Sequence, residues 1–184
     1  MDLVQFEKML DESGVDVSLF GRGEAKTLDK FFQEISDPTE GVMLLQNESG
    51  LLRVVNLINI HVMYNNKGQL LKLREALQVF NDGRYRYRPD RQAAVSEKCH
   101  SDETIMSSVQ RAIEEELDVK ISQHESVLEL GRNIVTKKSQ SYPGILSEYR
   151  IEYFLYIMRE GNFRPEGYVE VQKDKETYFS WERV

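Results

Sequence analysis

The chain has 184 residues, with 24 Lys plus Arg against 31 Asp plus Glu, a net charge of −7. That length suits about one domain with a core of its own, and the acidic balance excludes a broad basic surface for sequence-independent duplex binding. One cysteine, Cys99, excludes an internal disulfide and suits a reducing compartment.

The three histidines, His61, His100 and His124, lack the spacing of a structural zinc site. The N-terminal MDLVQFEKML is acidic and has no apolar core of the signal-peptide kind. No apolar run is long enough for a bilayer. The expectation is a soluble cytoplasmic protein with no membrane partner. The sequence leaves the oligomeric state open.

Leu3, Val4, Phe6, Met9 and Leu10 approach helical spacing over 3–12, and Gly14 ends that stretch. A second helix is expected over Thr27–Ile35, capped by Thr27, with Leu28, Phe31, Phe32 and Ile35 on its apolar side and Asp37-Pro38 as its stop. The segment Gly21-Arg22-Gly23-Glu24-Ala25-Lys26-Thr27 is not a phosphate loop, because Ala25 stands where the Gly before Lys is required. Leu51–Tyr64 reads as one bent strand or two. Asn65-Asn66-Lys67-Gly68 reads as the turn of a hairpin, and Gln69–Arg74 as the return strand.

After Gly83–Arg88 and Ala93–Ser96, a helix is expected over Glu103–Leu117, capped by Ser101 or Asp102. A strand is expected within Val119–Leu130, a turn at Ser141-Tyr142-Pro143-Gly144, and strands over Tyr149–Met158 and Thr177–Val184. Strands, one central helix, then more strands imply an α+β or mixed α/β sandwich.

The central helix carries the chemistry. Ile105, Val109, Ile113 and Leu117 form one core-facing stripe at i, i+4 spacing. Glu116 falls at the edge of that stripe, Glu115 about 100° round from it, and Glu114 toward water. A carboxylate at the margin of an apolar face needs something to neutralise it, and Mg²⁺ or Mn²⁺ takes oxygen ligands readily. An ordinary solvated acidic helix end is the competing reading. Asp118 stands where a C-cap glycine is usual, and Asp tolerates the left-handed conformation.

At these residues the sequence resembles the Nudix family, whose box is G-x5-E-x7-R-E-U-x-E-E-x-G-U, with U a bulky aliphatic residue. In EKCHSDETIMSSVQRAIEEELDV, Glu103, Arg111, Ile113, Glu115, Glu116 and Val119 match at the required spacing. Glu97, Ala112 and Asp118 depart from it, standing in place of the first Gly, the Glu after Arg, and the late Gly. LFGRGEAKTLDKFFQEI, Ser96-Glu97-Lys98 and SYPGILSEY together resemble a group of Nudix-like proteins of plants, algae and protists, a likeness running from about Val17 onward.

The resemblance implies a Nudix-type α/β/α sandwich, α+β with a mixed β-sheet. Residues 1–50 would be an N-terminal helical extension packed on a Nudix-like domain at 51–184. It also implies a metal-dependent pyrophosphohydrolase that cleaves a nucleoside diphosphate linked to another group, with Mg²⁺ or Mn²⁺ held by Glu115, Glu116 and Glu103. Glu103 has a second reading, orienting Arg111.

The carboxylate missing at Ala112 has a candidate replacement in Glu97, as ligand or base. Glu97 and Glu116 are thus the catalytic candidates, and a plain surface role for Glu97 is weighed equally. Arg84, Arg86 and Arg88 share a face if they lie on a strand and, with Lys98, are the candidates for binding phosphate. Tyr85 and Tyr87 would then stack on a base. An exposed edge strand is the alternative for that stretch. The loss at Ala112 also favours a second function: a non-catalytic module that binds a nucleotide, a nucleotide-bearing metabolite or RNA.

Overall fold

A computed structural model describes residues 1–47, 50–122 and 127–184. Among these the fold is α+β, with three α-helices and a mixed sheet. The elements are α1 (Leu3–Glu12), α2 (Leu28–Ser36), β1 (Val42–Asn47), β2 (Gly50–Asn66), β3 (Gln69–Phe80), β4 (Tyr85–Arg86), β5 (Val95–Lys98), α3 (Ile105–Leu117), β6 (Val127–Lys138), β7 (Leu146–Ile157), β8 (Tyr168–Val171) and β9 (Lys175–Arg183). The strands pair in the order β6-β7-β2-β3-β9-β8, with β1 and β5 on β2 and β4 on β3. No helix among the described residues is long and apolar enough to cross a membrane.

The chain divides into two compact units. One comprises Met1–Leu57, Lys98–Glu103 and Asn133–Ile151. Here Asp2 caps α1 in a capping box with Gln5, and Thr27 caps α2 as expected. Phe6 and Leu10 of α1 meet Phe31 of α2, Leu51 and Tyr142 in a buried hydrophobic cluster. The Phe31 and Tyr142 ring centroids lie 4.5 Å apart. β1, which has no clear sequence signal, pairs antiparallel with the start of β2 from Val42↔Val55 to Asn47↔Gly50.

The other unit comprises Ile58–Glu97, Thr104–Arg132 and Glu152–Val184. The expected hairpin is present. Lys67 and Gly68 both take positive φ, and the Gly68 N–H donates to Asn65 Oδ1 at 2.7 Å, closing β2 onto β3 with Asn66 opposite Gln69. β3 runs on well past Arg74 and pairs antiparallel with β9, which in turn pairs with β8. α3 packs against β8.

Two expectations about α3 meet different outcomes. Its cap is Thr104, whose Oγ1 accepts from the Ser107 N–H at 3.1 Å. Ser101 is committed elsewhere, with its N–H and hydroxyl both donating to the Pro38 carbonyl oxygen, so the helix starts later than the sequence suggested. Asp118 does take the left-handed C-cap, at φ 53 and ψ 41. The strand sought within Val119–Leu130 begins at Val127. Residues 123–126, His124 among them, lie outside the described residues.

Gly167, just before β8, has φ +90, and a Cβ built there would stand 1.9 Å from the Phe179 carbonyl oxygen. Gly167→Ala is therefore expected to cost more than about 1 kcal/mol, and to loosen the pairing of β8 with β9. Urea titration measures the first effect, and amide exchange at Tyr168 and Glu170, whose N–H groups face β9, the second.

Candidate functional site

In the second unit the end of α3, β5, β8, β9 and the segment after β4 wall a cavity of about 650 Å³. Glu97, Glu116, Glu170, Arg91, Lys175 and Tyr87 line it. Glu116 is its deepest charged group, only 7% exposed. The helical period explains this position: Glu116 is four residues past Ala112 and three past Ile113, both fully buried, so its stem continues the apolar face. Among the described residues no hydrogen-bond or ion-pair partner reaches its carboxylate. Burial pushes that carboxyl up to about 8, and the charges of Glu170 and Glu97 push the same way, against Arg91 and Lys175.

Three glutamates from three different elements thus face one space, with the exposed Asp90 at its edge. Their oxygen donors suit a hard divalent cation, and no hydrogen bond or ion pair among the described residues holds the Glu116 carboxyl. The side chains are not gathered to ligating distance: among the described residues no group of three or more His, Cys, Asp or Glu stands close enough to hold an ion.

The other sequence candidates lie as follows. Glu115, one residue before Glu116, points outward and pairs with Arg111 at 2.9 Å. Glu103 stands before the helix starts, 3.4 Å from His100 Nδ1. Glu97 faces the cavity from β5, while its neighbour Lys98 belongs to the first unit. There Lys98 Nζ donates to Glu34 at 3.0 Å and to Glu40 at 2.5 Å.

The arginine stretch forms a strand only at Tyr85–Arg86, so strand alternation does not carry through to Arg88. Arg84 is exposed, pairs with Asp82 at 2.7 Å and, like Arg86, sits over the Phe80 ring. Arg88 instead turns to the buried Glu75, its Nε 2.8 Å from Oε1, and lines the cavity together with Tyr87 and Arg91.

Sequence reasoning missed Glu75, Glu170 and Lys175. None sits in a motif. Glu170 and Lys175 reach the cavity because the hairpin of β8 and β9 lies beside β3, a long-range pairing that local pattern does not encode.

No family model and no curated protein matches the chain. Several solved structures are similar to it. An Ap4A hydrolase from C. elegans is 8% identical over 71% of this chain and 80% of its own, with a TM-score of 0.39. A MutT/nudix family protein from Enterococcus faecalis is 18% identical, covering 70% of this chain and 43% of that one, with a TM-score of 0.42. The NUDIX domain of Shewanella oneidensis NrtR, solved with ADP ribose, is 11% identical over 70% of this chain and 72% of its own, with a TM-score of 0.37.

Proposed function

We propose that this protein is a Nudix-type pyrophosphohydrolase acting, with Mg²⁺ or Mn²⁺, on a nucleoside diphosphate linked to another group. One observation carries the reading: a buried, unpartnered Glu116 carboxylate aims into a cavity that also holds Glu97 and Glu170 on one hand and Arg88, Arg91 and Lys175 on the other. Carboxylates suit a divalent ion, and the cations beside them suit phosphate.

Glu116, with Glu97 and Glu170, would hold the ion, so that two residues outside the helix supply carboxylates where Ala112 supplies none. A bound ion supplies charge that neutralises phosphate oxygens and eases deprotonation of water. Arg91 and Lys175 hold the diphosphate, and Glu97 takes a proton from the attacking water. Tyr87, exposed at the rim, offers a ring for a base to stack on.

The test is hydrolysis of a panel of nucleoside diphosphate derivatives, dinucleoside polyphosphates and capped RNA, with and without divalent metal. Turnover is expected only with metal. It should fall by roughly three orders of magnitude in Glu116→Gln, the scale of losing one essential charged group. Glu170→Gln should keep the fold and bind Mn²⁺ about tenfold more weakly, read by electron paramagnetic resonance.

Ala112, fully buried and without a carboxylate, favours a second reading, a binding module for a nucleotide, a nucleotide-bearing metabolite or RNA. No turnover on the whole panel, with a ligand-induced rise in melting temperature, establishes that reading instead.

A further inference from the structure

Strand β3 carries one irregularity. Its register with β9 runs in step from Leu71↔Arg183 to Glu75↔Phe179 and resumes at Leu77↔Tyr178, leaving Ala76 without a partner. Such a bulge adds one residue and re-aims the side chains beyond it. In an unbroken strand Glu75 and Gln78 would point to opposite faces. Here both are buried and both meet Arg88. The Gln78 amide, oriented to suit its neighbours, accepts from Arg88 at 3.0 Å and from Lys175 Nζ at 3.3 Å.

Arg91 donates to the same Glu75 carboxylate. One buried carboxylate therefore holds two guanidiniums, and both line the cavity that contains Glu116. Of the positive charges of Arg88, Arg91 and Lys175, Glu75 balances one directly, and the remaining two face Glu97 and Glu170 in the same cavity. Arg88 is tied through Nε and Nη2 to Glu75 and Gln78 and keeps its Nη1 donors, while Arg91 is held through Nη1 alone; donors of charged groups fixed in this way suit phosphate oxygens. Fixing them beforehand also removes part of the ordering cost of binding.

We propose that Arg88 and Arg91, held in place by Glu75, form a clamp for a diphosphate group that binds before and without the divalent ion. Glu75 is a positioning residue that acts through the two arginines. The inference shares the cavity of the hydrolase reading and rests on it only for the identity of the natural substrate, since binding requires no turnover.

The experiment is calorimetric titration of the full chain with inorganic pyrophosphate in buffer containing EDTA. Wild type and Glu116→Gln are expected to bind. Arg88→Ala and Arg91→Ala are each expected to bind at least about tenfold more weakly, while Lys120→Ala, a surface change, binds like wild type. Glu75→Gln, titrated below the melting temperature found by circular dichroism, should lose at least about fivefold, and Glu75→Asp should recover most of that loss.

Pyrophosphate that fails to bind the wild type, or that binds Arg88→Ala and Arg91→Ala as tightly as the wild type, overturns the clamp. A folded Glu75→Gln that binds normally removes Glu75 from it. Loss of hydrolysis in Glu116→Gln with pyrophosphate binding intact keeps this inference and the hydrolase reading separate.

Discussion

As pH rises from 4.5 towards about 8, the metal-free protein is expected to lose stability, and Glu116→Gln is expected to lose far less. The fold favours the neutral form of this carboxyl, because burial and the neighbouring Glu170 and Glu97 oppose its charge. A raised folded-state pKa contributes stability in full below the unfolded value and loses it as pH climbs through the folded one. The effect is on the order of a few kcal/mol, set by how far the titration of a mostly buried group has moved.

Melting temperatures in EDTA at several pH values between about 5 and 9 read it directly. Parallel curves for wild type and Glu116→Gln would show that Glu116 ionises in the folded cavity without penalty. Mn²⁺ added at the alkaline end should restore the loss in the wild type only. Because a ligating carboxylate must be deprotonated, ion binding near neutral pH should release a proton, seen as a binding enthalpy that varies with the buffer's ionisation heat.

Glu34→Ala is expected to cost about 3–5 kcal/mol, a large share of the whole stability of an ordinary domain. Glu34 projects from α2 into the first unit and is 4% exposed. It accepts from Lys26 at 3.3 Å, from Lys98 at 3.0 Å, and from Arg53 and the Tyr142 hydroxyl. Arg53 is itself buried and lies over the Tyr142 ring. Removing the carboxylate strands that guanidinium in an apolar setting with only the ring for company. Urea unfolding measures the loss, and Glu34→Gln should fall between the two.

Burial pushes the Glu34 carboxyl up, but the charge of Arg53 and the hydrogen bonds from Lys98 and Arg53 outweigh it and hold the group below its ordinary value. Its stabilisation is therefore present above 4.5 and lost as pH falls through the lowered folded value, opposite in sign to Glu116. The metal-free wild type should thus show greatest stability between these two titrations, with each substitution flattening one side.

Local features were readable from the chain. The Thr27 cap, the Lys67-Gly68 hairpin turn and the left-handed Asp118 each depend on residues next to one another. So does the burial of Glu116, which follows from its offset against Ala112 and Ile113 along one helix. What escaped was set by distant pairing. Nothing near Glu170 or Lys175 in sequence marks them as facing Glu116, because their position follows from β9 joining β3. Arg88 looked like a continuation of Arg84 and Arg86, yet the short β4 releases it to Glu75. The Ala76 bulge that allows this has no local signature. Ser101 failed as a cap for the same reason, being drawn to Pro38, a residue far away in the chain.

The partners Glu75 and Phe179 stand about a hundred residues apart, so the closure of β3 onto β9 is among the longest-range events in the chain. During synthesis, Glu116 and both arginines leave the ribosome well before the strand that brings Lys175 to them. Until then β3 presents an open edge, the surface on which nascent chains aggregate. Ribosome-arrested chains ending before Lys175 should accordingly be more easily cut by protease between Gln69 and Phe80 than those that have released β9.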